Sequence, residues 1–207
     1  MFDPHSKRMN TVYRYTRHCY DISRKFFLLG RDGLLEELGK QDYKSICEVG
    51  CGTGRNLIKL AKMNSSNKLF GLDASDLMLK KAEKRIKKLR LEDQICLYTG
   101  LAEEYDFNKQ FDILVFSYSL SMVADYKKAL NNALEHVSDD GVIYVLDFGN
   151  FENFPNLIKK LMYKFLKIFS VYPGKNELFS FLKRNNVFYE TRDIAGGYSF
   201  ITKLTKS

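Results

Sequence analysis

A chain of 207 residues, 45% of them hydrophobic, holds one sizeable α/β domain and is too short for two comfortable ones. Three prolines, and no low-complexity tract or solenoid repeat, exclude a disordered chain or a repeat array. The formal net charge of +8 is concentrated in Lys80–Arg90, in Lys159–Lys167 and at both termini. It favours anionic partners (nucleic acid, an acidic membrane surface, a phosphate-bearing substrate), although a merely solvated basic face gives the same balance.

The four cysteines, Cys19, Cys47, Cys51 and Cys96, form no Cys-x-x-Cys pair, and no His stands at ligand spacing from two of them. No metal site is therefore expected. Cys47 and Cys96 are expected to act as small hydrophobes in buried strands. The start, Met1–Arg8, lacks the apolar core of a signal peptide. No uncharged apolar stretch reaches the ~20 residues of a spanning helix. The expectation is a cytoplasmic protein, at most attached to a membrane surface.

In chain order, residues 7–29 read as one or two tyrosine-rich helices, with Tyr13, Tyr20, Phe27 and Leu28 on one face. A short helix from about Asp32 to Leu38 stops at Gly39. The first 40 residues are read as a helical lid, and 41–207 as the core. Ser45–Val49 is predicted as the first buried strand, Asn56–Met63 as its helix and Lys68–Leu72 as the second strand. Asp76–Leu89 is a charged helix with Leu77, Leu79, Ala82 and Ile86 inward. Ile95–Thr99 and Phe111–Tyr118 are strands, the latter apolar on both faces and hence central. Tyr126–Val137 is a helix. Asp139-Asp140-Gly141 is read as a turn into strand Val142–Phe148.

This alternation implies a parallel sheet with right-handed crossovers. The end differs: helices over 155–169 and 176–184 precede a hairpin, Val187–Ile194 and Tyr198–Leu204, around Ala195-Gly196-Gly197. The fold class is therefore α/β, Rossmann-like, with seven strands, mostly parallel, closed by an antiparallel C-terminal hairpin.

The chemistry concentrates in Glu48-Val49-Gly50-Cys51-Gly52-Thr53-Gly54. Glycines at alternate positions let a strand turn sharply into a helix and let a ligand lie against backbone. The helix then points free N–H groups at that ligand. Nineteen residues past Gly54, Asp73 ends the second strand, placed to accept hydrogen bonds from a ribose diol. The pyrophosphate fingerprint would be Gly-x-Gly-x-x-Gly, and here the third glycine comes one residue early.

This spacing resembles the first motif of class I S-adenosylmethionine-dependent methyltransferases. The resemblance implies that S-adenosylmethionine is the cofactor and S-adenosylhomocysteine its product. It puts Glu48, Gly50, Cys51 and Gly52 at the methionine side, Asp73 on the ribose, and Ala74 and Met78 beside adenine. Gly100-Leu101-Ala102-Glu103-Glu104 matches the third motif, but Leu101 stands where an Asp often meets the adenine amino group. Adenine recognition then falls to backbone at Leu101 and Ala102 or to Glu103, which alternatively serves as a helix N-terminal acid.

The end of strand four, Phe116-Ser117-Tyr118-Ser119-Leu120-Ser121-Met122-Val123-Ala124-Asp125-Tyr126, borders the reacting methyl in this fold, with Ser117 at the cofactor. It resembles the betaine-lipid methyltransferases, which trimethylate the amine of diacylglyceryl homoserine. Tyr20–Arg24, Phe27–Asp32, Leu146–Gly149 and Ile168–Pro173 fit the same family. The implied acceptor is a lipid or lipophilic amine, made by a separate synthase. Tyr13, Tyr20 and Tyr118 are candidates to wall the amine, since aromatic faces stabilise developing positive charge. Tyr20 and Arg24 are also candidates for the cofactor. Arg24 and Arg31 are candidates for the homoserine carboxylate, and His18 for a catalytic role. A quinone precursor is the alternative acceptor. Against nucleic acid, the Asn/Asp-Pro-Pro-aromatic signature of base-amine methyltransferases is absent, as is any RNA-binding module. Residues 156–169 read as a basic amphipathic helix, suited to an anionic membrane or simply packed on the core.

Overall fold

A computed structural model describes residues 28–206. The N-terminal stretch read as helical, with Tyr13, His18, Tyr20 and Arg24, lies outside the described residues except for Leu28 and Leu29, and Leu29 enters a turn rather than a helix.

The described chain begins with α1 (Arg31–Gly39), then β1 (Ser45–Val49), α2 (Arg55–Met63), β2 (Lys68–Asp73), α3 (Asp76–Lys88), β3 (Ile95–Thr99) and β4 (Phe111–Ser117). A 3₁₀ turn (Leu120–Met122) leads to α4 (Tyr126–His136), β5 (Val137–Phe148), α5 (Asn156–Ile168), α6 (Lys175–Arg184), β6 (Phe188–Ile194) and β7 (Ser199–Thr205). The seven strands form one sheet in the order β3-β2-β1-β4-β5-β7-β6. The first five are parallel, and β7 runs antiparallel to both β5 and β6. This is the seven-stranded mixed sheet that the strand pattern implied.

Side chains alternate across each strand, which divides the core in two. Ile46, Leu69, Ile113 and Tyr144 face α1, α2 and α3. Their neighbours Cys47, Phe70, Leu114 and Ile143 face α4 and α6. The sheet is thus covered on both sides, and the loops leaving the carboxyl ends of β1, β2 and β4 meet along one edge.

Three expectations fail. Leu77, read as inward on α3, is exposed, and Met78 is buried beside Leu79, Ala82 and Ile86 instead. No turn separates α4 from β5: Val137 already pairs with Phe111, and the next matched pair is Val142 with Ile113. The polar residues between them bulge from a continuous strand instead of ending one. Cys96 is exposed, because β3 is an edge strand. Among the described residues no helix is long and apolar enough to cross a membrane.

Candidate active site

The bend after β1 is held by backbone. Gly50, Gly52 and Gly54 all have positive φ, at 78°, 55° and 69°, a region costly for residues with a Cβ. Gly50 N–H and Cys51 N–H both donate to the Leu72 carbonyl, at 2.7 and 3.0 Å, tying the bend to the end of β2. A Cβ on Gly50 would lie 2.3 Å from the Ser119 Cβ. The Ser119 hydroxyl, in turn, donates to the Val49 carbonyl at 2.6 Å. The end of β4 is thereby fixed against the end of β1.

Asp73 is buried at the end of β2, and both its oxygens are engaged. Oδ2 accepts from Gly52 N–H and Oδ1 from Ser75 N–H, each at 2.8 Å. The Asp73 carboxylate therefore shapes the glycine bend at the edge of the cavity.

Val49, Gly50, Gly52, Asp73, Ala74, Leu101, Ala102, Glu103, Tyr118 and Ser119 line one cavity, closed by Leu72, Gly100, Met122 and Val123. The site is thus a carboxylate beside a glycine floor, with aliphatic walls. That set suits a nucleoside: the acid for the sugar, the walls for the base. The Leu101 carbonyl accepts from Tyr105 N–H, and the Ala102 carbonyl accepts from the Asn132 amide. These bonds fix the backbone of Leu101 and Ala102 where both residues line the cavity. Glu103 Oε1 accepts from Asp125 N–H at 3.2 Å, just before α4. Glu103 thus lines the cavity and also serves as an acid at a helix start, the helix being α4.

Other sequence candidates lie elsewhere. The Cys51 side chain turns away from the cavity to the face of β2, where a Cβ on Gly71 would come within 2.7 Å of its sulfur. Burial pushes its thiol well up, so it stays neutral. Its placement beside a ligand is corrected to a core position beneath the bend. Met78 is buried against Met122 and Phe169 rather than on the cavity wall. Glu48 and Ser117 line a separate small hollow under α1 with Arg31 and Asn56. There Glu48 Oε1 accepts from the Asn56 amide at 2.6 Å.

Tyr118 borders the cavity, but it is almost wholly buried, with positive φ. Its ring packs edge-on against Phe148, and its hydroxyl donates to the Leu29 carbonyl at 2.6 Å. Burial pushes the phenol far up, so it remains protonated. The hydroxyl anchors the chain before α1 and is not aimed at a substrate.

A second cavity, of about 390 Å³, shares Val123 with the first and lies on the other side of the 119–124 segment. Its polar groups are Ser121, Tyr126, Asp147, Tyr172 and Glu177, and among the described residues no Lys, Arg or His lines it. Asp147 is buried at the end of β5, and burial lifts its carboxyl to about 6 despite donors from Ser121 and Phe148. Ser121 N–H and hydroxyl donate to Asp147 at 2.8 and 2.7 Å, and Phe148 N–H donates at 2.8 Å. Sequence reasoning placed Asp147 in a family block without giving it a role. An acid in a strand of hydrophobes, two residues before a glycine, was the available signal.

Residues 40–186 match a methyltransferase domain family over well more than half of the chain. The chain belongs to that family. This methyltransferase domain is 28% identical over 175 residues to a demethylmenaquinone methyltransferase of Geobacillus sp. (strain WCH70), covering 83% of this chain and 69% of that protein. It is 29% identical over 145 residues to the demethylmenaquinone methyltransferase of Geobacillus stearothermophilus, covering 69% and 58%. The chain thus spans about three-fifths to two-thirds of these relatives' length. An S-adenosylmethionine-dependent methyltransferase from Aquifex aeolicus superposes with a TM-score of 0.69 at 15% identity, covering 95% of this chain and 97% of that one. The fold is therefore that of class I S-adenosylmethionine-dependent methyltransferases, and S-adenosylmethionine is the cofactor that belongs with it.

Proposed function

We propose that this chain methylates a lipophilic acceptor of the quinone-precursor class. When bound, S-adenosylmethionine supplies an electrophilic methyl on a sulfonium. Asp73 would take the ribose hydroxyls, and Leu101, Ala102 and Val123 would flank the base. Glu48, Ser117 and Arg31 lie one step further back, on β1, on β4 and at the start of α1. They offer charge and hydrogen bonds suited to the amino-acid end.

The observation that carries the acceptor reading is Asp147. A ring acceptor must lose a proton to become a carbon nucleophile, and a carboxyl near 6 is matched to that task close to neutral pH. Asp147 lies in a cavity whose apolar walls include Leu120, Phe148, Leu178 and Phe200, which suit an apolar ring. The names of the curated relatives support the same class.

A second reading, the amine of a diacylglyceryl homoserine headgroup, is favoured by one observation. Among the described residues the second cavity carries two acids and two tyrosines and no cation, in a chain of net charge +8. That lining stabilises a nitrogen gaining positive charge. The test is incubation of the purified protein with methyl-labelled S-adenosylmethionine and, separately, a demethylated quinol, diacylglyceryl homoserine and tRNA. Label in the quinol supports the first reading, and label in the amine lipid alone replaces it with the second. Label in tRNA alone ends both.

A further inference from the structure

We propose that the outer face of α5 docks on an anionic lipid bilayer and sets the second cavity at the membrane interface. An ordinary surface helix hides its apolar stripe against the core. In α5, Leu166 is the buried residue, while Leu157, Leu161 and Ile168 are 71%, 59% and 67% exposed. With Lys164 these three recur at i, i+4, i+7 and i+11, a spacing that aligns them along one outward ridge. The inner contacts come from Leu166, Met162, Phe165 and Phe169. The helix is thus apolar over one wide face, and its outer edge, the ridge, is left uncovered by the core.

Charge selects the occupant. The helix carries Lys159, Lys160, Lys164 and Lys167 and no acid. An aliphatic ridge fringed by lysines complements a surface with hydrocarbon below and anionic headgroups above. A protein groove would need matched acids at several fixed points, whereas a fluid anionic leaflet supplies them wherever the lysines fall. The position serves the chemistry as well. The chain leaves α5 through Phe169 to Tyr172, which is exposed and lines the second cavity. Tyr172 N–H donates to the Ser121 carbonyl at 3.1 Å, tying this exit to the wall between the cavities. An acceptor held in a leaflet would reach Asp147 past Tyr172 without crossing water. The inference extends the reading of a lipophilic acceptor, and its evidence and test are separate from it.

The test is co-sedimentation of the full chain with vesicles of phosphatidylglycerol and phosphatidylcholine in equal parts, against vesicles of phosphatidylcholine alone. Binding is expected to be strong on the mixed vesicles and at least tenfold weaker on the neutral ones, and to fall as salt is raised (about tenfold or more, from roughly fivefold per lysine). Leu157→Ser with Leu161→Ser and Ile168→Ser is expected to lower vesicle affinity by roughly tenfold or more. S-adenosylhomocysteine affinity should stay unchanged in that variant, showing that the fold and the cofactor site survive. Lys160→Glu with Lys164→Glu should remove the preference for anionic vesicles. Vesicle binding unmoved by the triple substitution overturns the proposal. So does a concentration-dependent dimer, seen by light scattering and abolished by the same substitutions, in a protein that ignores vesicles. That result would assign the ridge to a second copy. Loss of cofactor binding in the parent protein would instead strike the functional reading and leave the vesicle result standing.

Discussion

Replacing Asp73 with Ala removes four hydrogen-bond sites at once. The carboxylate holds the Gly52 and Ser75 N–H groups at 2.8 Å, and it is the group proposed to take the ribose diol. A hydrogen bond to a charged group contributes about 1.5–3 kcal/mol. Loss of the ligand's pair therefore weakens S-adenosylhomocysteine binding by about 3 kcal/mol or more, roughly a hundredfold in Kd. The two backbone donors lose their acceptor in a nearly closed site. Water entering the vacated space limits the cost to about 1–2 kcal/mol in all, or roughly 2–8 °C in Tm for a domain of this size. Asp73→Asn is no gentler: its amide would present donors toward one of the two N–H groups. Titration calorimetry with S-adenosylhomocysteine, run well below the melting temperature of each variant, reads the affinity. Glu83→Ala, on the exposed side of α3, should leave it unchanged. A Kd for Asp73→Ala within about twofold of the parent would refute the cradle reading.

Gly50→Ala forces a Cβ to 2.3 Å from Ser119 at a φ of 78°. It should cost about 1–3 kcal/mol in urea unfolding and cut cofactor affinity at least tenfold. Tyr118→Phe loses the bond to the Leu29 carbonyl and should lower stability by about 1 kcal/mol with turnover nearly intact. Turnover abolished at unchanged stability would make that hydroxyl catalytic. The folded Asp147 carboxyl titrates at about 6, against an ordinary 3.8. The buried group thus binds its proton more tightly in the folded state. Its contribution is complete below about pH 4 and is lost as pH rises through about 6, an amount on the order of 3 kcal/mol. Asp147→Asn should flatten the parent's decline in unfolding free energy between pH 4 and 7. If the two decline in parallel, the raised carboxyl is wrong. The same variant should lose methylation of a quinol if Asp147 is the base.

Much of the fold was legible because the strands are short apolar runs between turn signals. Ser45–Val49 and Ile95–Thr99 match the structure to the residue. The start of β5 was not, because Ser138, Asp139 and Asp140 have turn chemistry while the backbone on either side still pairs with β4. For the site, the glycine bend and Asp73 were readable from spacing, since both positions are dictated by backbone geometry. The direction of Cys51 was not, because a loop has no periodicity to say which way a side chain faces. The alternation that gives Cys96 an inner position says nothing of whether a further strand covers it. For α5, an apolar pattern reads the same whether it meets core or emerges from it.

The bend after β1 rests chiefly on peptide groups: Gly50 and Cys51 N–H on the Leu72 carbonyl, the Ser119 hydroxyl on the Val49 carbonyl, and Tyr118 N–H on the Leu146 carbonyl. Peptide groups are common to every residue type, so Val49, Leu72 and Leu146 can be exchanged for other hydrophobes without redrawing the pocket floor. A scaffold of this kind lets the amino-acid alphabet wander while its contour persists. That is how chains sharing only 15% of their residues come to superpose along nearly their full length.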